Sequence, residues 1–561
     1  MSNTHLFTRR RFIKTVAIGT GGLALAGSLT GCAPAHFLHG VASGDPLTDR
    51  VVIWTRVTPN NPRQQVPVQW LVATDRHCRN IVGGGTELTD ASRDFTVKLD
   101  VTGLRPGTTY YYQFFTGSDA SPVGRMRSLP EVSPAAFSMA VISCSNYPAG
   151  YFHVYGEIAK RDDIDAVLHL GDYIYEYSVG GYASEDAAAM GRTVIPENEL
   201  LSLSDYRLRY AQYRGDASLQ AAHRKHSFIC VWDDHEFANN AWREGAENHN
   251  PGEGDWDVRR ANAMQAYYEW VPVREPEDHD RERLYRSFKI GDLLDLYMLD
   301  TRIIGRDQQL DYANYIDPTS GAFDSTRFQA DLTDPNRTLM GAEQLAWLQQ
   351  NLATSNATWQ VLGQQILMGR MNLPAPLVTF AVSFDEYAQI VQLAQTNPGA
   401  LTPEQQAVLA APSIPYNLDA WDGYFVERET VLQTARATDS NLVVLAGDTH
   451  NAWANNLKTL SGDSAGVEFA VSSVSSPGLE GYFPDQNPDL LAAVVTQLVG
   501  DLQYTDLQHR GYMVVTFEQE ACRSDWVFVN TVKEMNYQVL AGYGRSLKML
   551  PGSGNRVLVN V

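Results

Sequence analysis

The sequence predicts a small β-sandwich followed by a larger α/β body, and three observations carry that prediction. Between Phe37 and about Leu129, apolar residues alternate along short runs separated by turns rich in Gly, Pro and Asp, the period-two pattern of half-buried strands. Beyond Pro134, strand-like runs alternate with helical segments, the order of an α/β architecture. Four of those later runs end in bursts of Asp, His, Cys and Glu, and loops at the carboxyl ends of sheet strands are where α/β proteins assemble sites. At 561 residues the chain is long enough for more than one domain and a large buried core.

The elements justify themselves in order. Residues 1–35 read as an export leader: Thr8-Arg-Arg-Arg-Phe-Ile-Lys14 fits the twin-arginine pattern, and a Gly-rich apolar run follows from Thr15 to Gly31. That run is too short and too rich in glycine for a membrane span. Two cleavage readings stand side by side. Leu29-Thr-Gly-Cys32 resembles a lipoprotein signal that would leave a lipid on Cys32, whereas Ala33-Pro-Ala35 fits an ordinary site releasing a free protein. Either way the expected location is outside the cytoplasmic membrane, periplasmic, extracellular or lipid-anchored, with the twin-arginine translocase as a partner during export.

Residues 36–130 supply the β unit, with Val51–Val57, Val68–Ala73, Phe95–Val101 and Tyr110–Phe115 as its strands. The turn Leu104-Arg-Pro-Gly-Thr-Thr-Tyr110 resembles that of fibronectin type III domains, where a tyrosine packs at a sheet corner. Leu129 to Pro134 reads as a linker, and residues 131–561 as the catalytic α/β body. Within the body, Gly341–Leu352 places Leu345, Leu348 and Leu352 on one helical face, Arg259–Trp270 is a helix ended by Pro272, and Leu490–Val499 an amphipathic surface helix.

Charge and cysteine count narrow the function. A net charge of −21 argues against nonspecific nucleic-acid binding, which needs basic surface. Removing the leader's four positive charges (Arg9, Arg10, Arg11, Lys14) leaves −25, so an enzyme of this composition that handles phosphate needs cations of its own. Five cysteines is an odd number for an exported chain. Cys78, Cys230 and Cys522 read as small buried hydrophobes, with a disulfide between two of them left open. Cys144 stands where a strand-like run gives way to a loop.

The four bursts are Ser143-Cys144-Ser-Asn146, Gly171-Asp172-Tyr-Ile-Tyr175-Glu176, Asp233-Asp234-His235-Glu236 and Gly447-Asp448-Thr-His450. Each has a bland reading: a Gly-Asp turn, a solvated acidic loop, a core cysteine, a satisfied buried histidine. Four together at strand ends point to a metal site, because clustered ionisable groups repel one another and desolvate badly unless cations hold them. His169, inside a strand, reads as a buried hydrogen-bonding residue.

The order Cys144, Gly171–Glu176, Trp232-Asp-Asp-His-Glu236, Gln364-Gln365 and Gly447-Asp-Thr-His450 resembles the PhoD-type alkaline phosphatases of the metallophosphoesterase superfamily. Asp205-Tyr-Arg-Leu-Arg209, Leu299-Asp-Thr-Arg302 and Ser475-Ser-Pro-Gly478 agree with it, and the resemblance spans nearly the whole chain. It implies a metallophosphoesterase sandwich, two central mixed sheets flanked by helices, in a monomer. It also implies one ferric iron (Fe3+) on Cys144, Asp172, Tyr175 and His450. Asp172 would bridge to Ca2+ held by Asp234, Gln365 and Asp448, oxygen donors suited to a hard cation. For a second Ca2+, Asp233, Asn146 and Glu176 are candidates. His235 would protonate the leaving alkoxide. Arg243, Arg302 and Asn240 are candidates for substrate binding, with a structural ion pair the stronger reading for either arginine.

The expected activity is hydrolysis of phosphate monoesters and diesters for phosphate acquisition. A phospholipase D-like phosphodiesterase is the nearest rival, favoured if the segment Met368–Tyr416 forms an apolar groove at the site. A non-catalytic surface-binding protein is the alternative of another class.

Overall fold

The structure, a computed structural model, describes residues 36–59, 61–319, 323–379 and 381–561. The twin-arginine motif and both cleavage readings lie outside the described residues. Among the described residues, no helix is long and apolar enough to cross a membrane.

Two large mixed sheets form the body. The ten-stranded one runs Val559–Asn560, Ser546–Met549, Cys522–Val529, Arg510–Glu518, Ala136–Ile142, Ala166–His169, Ser227–Cys230, Val41–Gly44, Arg50–Arg56, Thr96–Thr102. The seven-stranded one runs Arg286–Ile290, Leu294–Met298, Trp359–Gly363, Leu442–Ala446, Ser464–Ala470, Ala452–Lys458, Leu502–Asp506. At the centre of each, neighbouring strands are parallel: Ala136–Ile142 with Ala166–His169 and Ser227–Cys230 in one, Trp359–Gly363 with Leu442–Ala446 in the other.

Strand alternation builds the layers. Val361, Val443, Leu445, Val467 and Phe469 share a core with Val141, Val167 and Val515 of the larger sheet. Their neighbours Leu362, Leu442, Val444 and Ala465 face the other way and pack with helices Gly341–Thr354 and Phe425–Ala437 through Leu348, Leu352, Val431 and Leu432. The seven-stranded sheet is thus buried on both faces, which is why its strands read as continuous apolar runs.

The three helices foreseen from the sequence are present as Trp256–Trp270, Gly341–Thr354 and Pro488–Leu498. In the second, Leu345 is only half-buried and Gln344 fills the buried position of the first turns. Its amide accepts from Asp300 N at 2.8 Å and donates to Asp300 O at 2.7 Å, tying the helix to the loop after Leu294–Met298.

The amino-terminal β unit has its own apolar core, including Val51, Val68, Tyr112 and Phe114. Tyr110 is buried in it and its hydroxyl accepts from Arg105 N at 2.8 Å. Three strands of the unit nevertheless extend the ten-stranded sheet, because Val41–Gly44 runs parallel to Ser227–Cys230. The join is close. A side chain at Gly44 would put its Cβ 2.2 Å from Pro272 O, Trp54 Nε1 donates to Glu269 O at 2.8 Å, and Arg274 pairs with Asp100. The stretch after Leu129 is packed as well: Leu129 is buried, and Ser133 Oγ accepts from Asp292 N at 2.7 Å.

Candidate metal centre

Five parallel strands deliver the predicted residues to one rim. Ala136–Ile142, Ala166–His169 and Ser227–Cys230 end just before Cys144, Asp172 and Asp233–Asp234; Trp359–Gly363 and Leu442–Ala446 end before Gln364–Gln365 and Asp448–His450. Ligand-capable atoms of Cys144, Asp172 and His450 lie within 4.8 Å of one another, as do those of Asp172, Asp234 and His235, and those of Asp233, Asp234 and Asp448. Asp172 and Asp234 link the three groups into one cluster.

The loops are tightly constrained. Cys144, Asp172, Asn240, Asp448 and His450 all sit at positive φ, between 50° and 64°, a conformation that costs non-glycine residues and gathers at functional sites. Gly171 has φ 105°, and a Cβ there would lie 2.3 Å from that of Asp233. Glu236 locks the same two loops, accepting from Asp172 N at 3.0 Å, Tyr173 N at 2.5 Å and Asp233 N at 2.7 Å.

On the Cys144 side, Tyr175 donates to Asp172 Oδ2 at 2.9 Å and lies 3.3 Å from His450 Nε2. His450 Nδ1 faces the carbonyl of Pro477 at 2.7 Å, which places its proton there and leaves the unprotonated Nε2 lone pair towards the cluster. Burial raises the Cys144 thiol and the Tyr175 phenol well above their ordinary values and lowers His450 to about 3. On the acidic side, burial pushes up Asp172 and Asp233, and raises Asp448 to about 7. Burial also opposes ionisation of Asp234, but the Arg302 and His235 charges hold it at about 2.

This crowding is what a cation relieves. Asp172 Oδ1, Asp233 Oδ2 and Asn146 Oδ1 are buried without a hydrogen-bond partner among the described residues, and buried polar atoms are rarely left so. Sulfur, phenol, imidazole and carboxylate on one side suit a transition metal; carboxylates alone on the other suit a hard cation. The residues present fit bound metal.

The site departs from expectation at several positions. The Gln365 side chain is turned to the scaffold: Oε1 accepts from Thr301 Oγ1 at 2.7 Å, and Nε2 donates to Trp232 O at 2.6 Å and Leu299 O at 3.1 Å. Glu176 uses both oxygens elsewhere, Oε2 on His235 Nδ1 at 2.7 Å and Oε1 on Asn239 N and Asn248 Nδ2 at 2.8 Å each. Its place is behind His235, which stacks on Tyr175 with ring centroids 4.1 Å apart. Burial opposes charge on His235, but the carboxylates of Asp234, Glu176 and Asp172 hold it well above the ordinary histidine value.

Arg302 is fully buried and bound to protein carboxylates rather than open to a ligand. It pairs with Asp233, with both oxygens of Asp419 at 2.9 and 2.7 Å, and with Asp448 at 3.2 Å. Asn240 uses its backbone N on Asp234 Oδ2 at 2.6 Å and its amide on Glu247 at 2.5 Å. Arg243 is exposed. His169 donates or accepts at Tyr155 OH, 2.8 Å away, as a buried scaffold residue. Cys78, Cys144, Cys230 and Cys522 are buried, and none of the four is joined in a disulfide. Sequence reasoning missed Asp419, which carries no local signal, and the anchoring role of Glu236, hidden inside a run whose other members draw attention.

The fold and this rim define an α/β protein with a metal-capable centre. Residues 139–526 match the PhoD-like phosphatase family and residues 25–130 the N-terminal domain of PhoD-like phosphatases. The chain is 38% identical over 501 residues to alkaline phosphatase D of Bacillus subtilis, covering 84% of this chain and 77% of that one. It superposes on a solved structure of PhoD with a TM-score of 0.76 at 34% identity, covering 94% of this chain and 93% of the other. The chain belongs to the PhoD-like phosphatases and is a phosphoric ester hydrolase, which displaces the non-catalytic reading.

Proposed function

We propose that the chain is an exported phosphomonoesterase and phosphodiesterase that releases phosphate from organic esters, built as a metallophosphoesterase sandwich behind a fibronectin-III-like unit. The observation that supports this most is the meeting of Cys144, Asp172, Tyr175 and His450 at one point, with Asp172 shared by the acidic group beside it. In this reading those four hold one ferric iron, and Asp172, Asp234 and Asp448 hold calcium. Asp233 and Asn146, each with an unpartnered oxygen, are the remaining candidates for a second calcium. Bound cations supply Lewis-acid stabilisation of the phosphoryl oxygens and acidify an attacking water.

The protein's own groups do the rest. Glu176 orients the His235 ring and favours its protonated form, so that Nε2 can pass a proton to the departing alkoxide. Arg302 keeps the acidic loops together and leaves the phosphate to the cations and to His235. Elemental analysis of purified protein, with turnover of p-nitrophenyl phosphate, tests the reading. Iron with calcium is expected, with loss of the visible phenolate-to-iron band in Cys144→Ser. Zinc alone restoring full activity to chelated protein would overturn the metal assignment.

A further inference from the structure

Beside the cluster, on the Asp448–His450 side, lies a cavity of about 170 Å³. Two of its walls come from segments distant in sequence. One is the end of the ribbon formed by Asn372–Pro374 and Ser413–Pro415, which carries Tyr416. The other is the loop after Ser464–Ala470, ending in the short helix Leu479–Tyr482. That loop is tied directly to the metal-capable residues: Ser476 Oγ lies 2.7 Å from Tyr175 OH, and Pro477 O faces His450 Nδ1. It is tied to the scaffold by Asn451 Oδ1, which accepts from Leu479 N at 3.1 Å.

Two features of this cavity stand out. Tyr416 and Tyr482 are 38% and 68% exposed at its walls, although large apolar rings are costly to leave in water. Asn451 is buried beside Gly478, and its Nδ2 has no partner among the described residues. Rings open at a wall suit a flat organic group that can stack on them.

Size decides between ligand classes. About 170 Å³ accommodates one ring system. Behind it, past Met371, Trp453 and Leu479, the apolar space reaches Phe384, Leu491 and Val495 but amounts to only about 20 Å³, little more than room for one water. Among the described residues, the segment Met368–Tyr416 adds apolar side chains next to the site, and the space behind the cavity is too small for an acyl chain.

We propose that Tyr416 and Tyr482 form an aromatic subsite for the organic part of the ester, selecting substrates whose substituent is a single flat ring and shutting out long acyl chains. This rests on the cluster being the hydrolytic centre. The two tyrosines are specificity-determining residues: they act on how the ester binds, not on the bond that breaks.

The test uses the full metal-loaded chain with p-nitrophenyl phosphate and glycerol 3-phosphate, comparing wild type with Tyr482→Ala, Tyr416→Ala and Tyr482→Phe. Loss of a ring contact is expected to raise KM for the nitrophenyl ester roughly three- to ten-fold, to change that for the glycerol ester less than two-fold, and to leave kcat and metal content in place. Tyr482→Phe is expected to keep the wild-type KM. Equal shifts for both esters, or none for either, would overturn the subsite while leaving the hydrolytic reading intact. Dispersed phosphatidylcholine turned over as efficiently as the nitrophenyl ester would overturn the exclusion of acyl chains. Turnover of neither small ester by wild type would bring down the subsite and the hydrolytic reading together.

Discussion

The two halves of the cluster share Asp172 but are neutralised differently. The Asp233–Asp234–Asp448 half has a counterion of its own in Arg302, a fully buried guanidinium within 4.0 Å of all three carboxylates. The Cys144–Asp172–Tyr175–His450 half has no guanidinium: its imidazole is lowered to about 3 and is neutral, and Asp172 has only a share of the His235 charge, divided with Asp234 and Glu176, and keeps an unpartnered oxygen. One half is held together partly by the protein and can take up a cation as an addition. The other is completed only by a cation, and its donors are the softer and more selective set. An acidic rim can thus be folded before it is loaded, provided one arginine screens its most crowded part.

Asp172 belongs to both halves, so its loss is the largest expected effect. Asp172→Asn should lower turnover about a thousand-fold, the scale of several kcal/mol of transition-state stabilisation, and should remove iron. Retained iron would break the idea of a shared ligand. His235→Ala comes next, at roughly 100-fold or more for a poor alkoxide leaving group and far less for p-nitrophenolate. Equal losses would remove it from the proton-donor role.

Arg302→Met sharpens the comparison itself. Unpairing buried carboxylates should cost about 3–5 kcal/mol of stability, read by denaturant unfolding, and more in chelated than in metal-loaded protein, because bound cations take over the screening. An equal cost in both states would show that the guanidinium and the cations do not share that work.

A smaller effect concerns the scaffold behind both halves. His39 and His169 are lowered by burial to about 3, His226 to about 4, and His223 well below the ordinary value. Each stays neutral in the fold where the unfolded chain, near 6.5, binds a proton. Their contribution is complete above that value and is lost as pH falls through it towards 4, at up to about 1.4 kcal/mol per pH unit for each. These histidines should add no pH dependence between 9 and 7, and His39→Gln should lose less stability than wild type as pH falls from 6.5 to 5; an equal loss would contradict this.

Much of this was legible in the residues. The strand ends announced themselves because parallel strands buried on both faces read as short apolar runs, and His169 read correctly as scaffold because it lies inside one. Gln365 did not, since a glutamine at a strand end looks the same whether its amide faces a metal or, as here, Thr301 and Trp232. The amino-terminal unit shows the same limit: alternation foretold its strands, but nothing local to Val41–Gly44 says that it pairs with Ser227–Cys230 rather than ending a separate sheet.

Composition, the apolar periods and the donor types were enough to indicate an acidic α/β protein with a metal-capable rim, because these properties are carried by each residue and its near neighbours. Only the folded chain could decide that Arg302 serves carboxylates instead of substrate, that Glu176 stands behind His235, and that two exposed tyrosines share one cavity. Those are contacts across 59 to 146 positions of sequence or between separate segments, and charge pairing and cavity volume exist only once packing has brought such groups together.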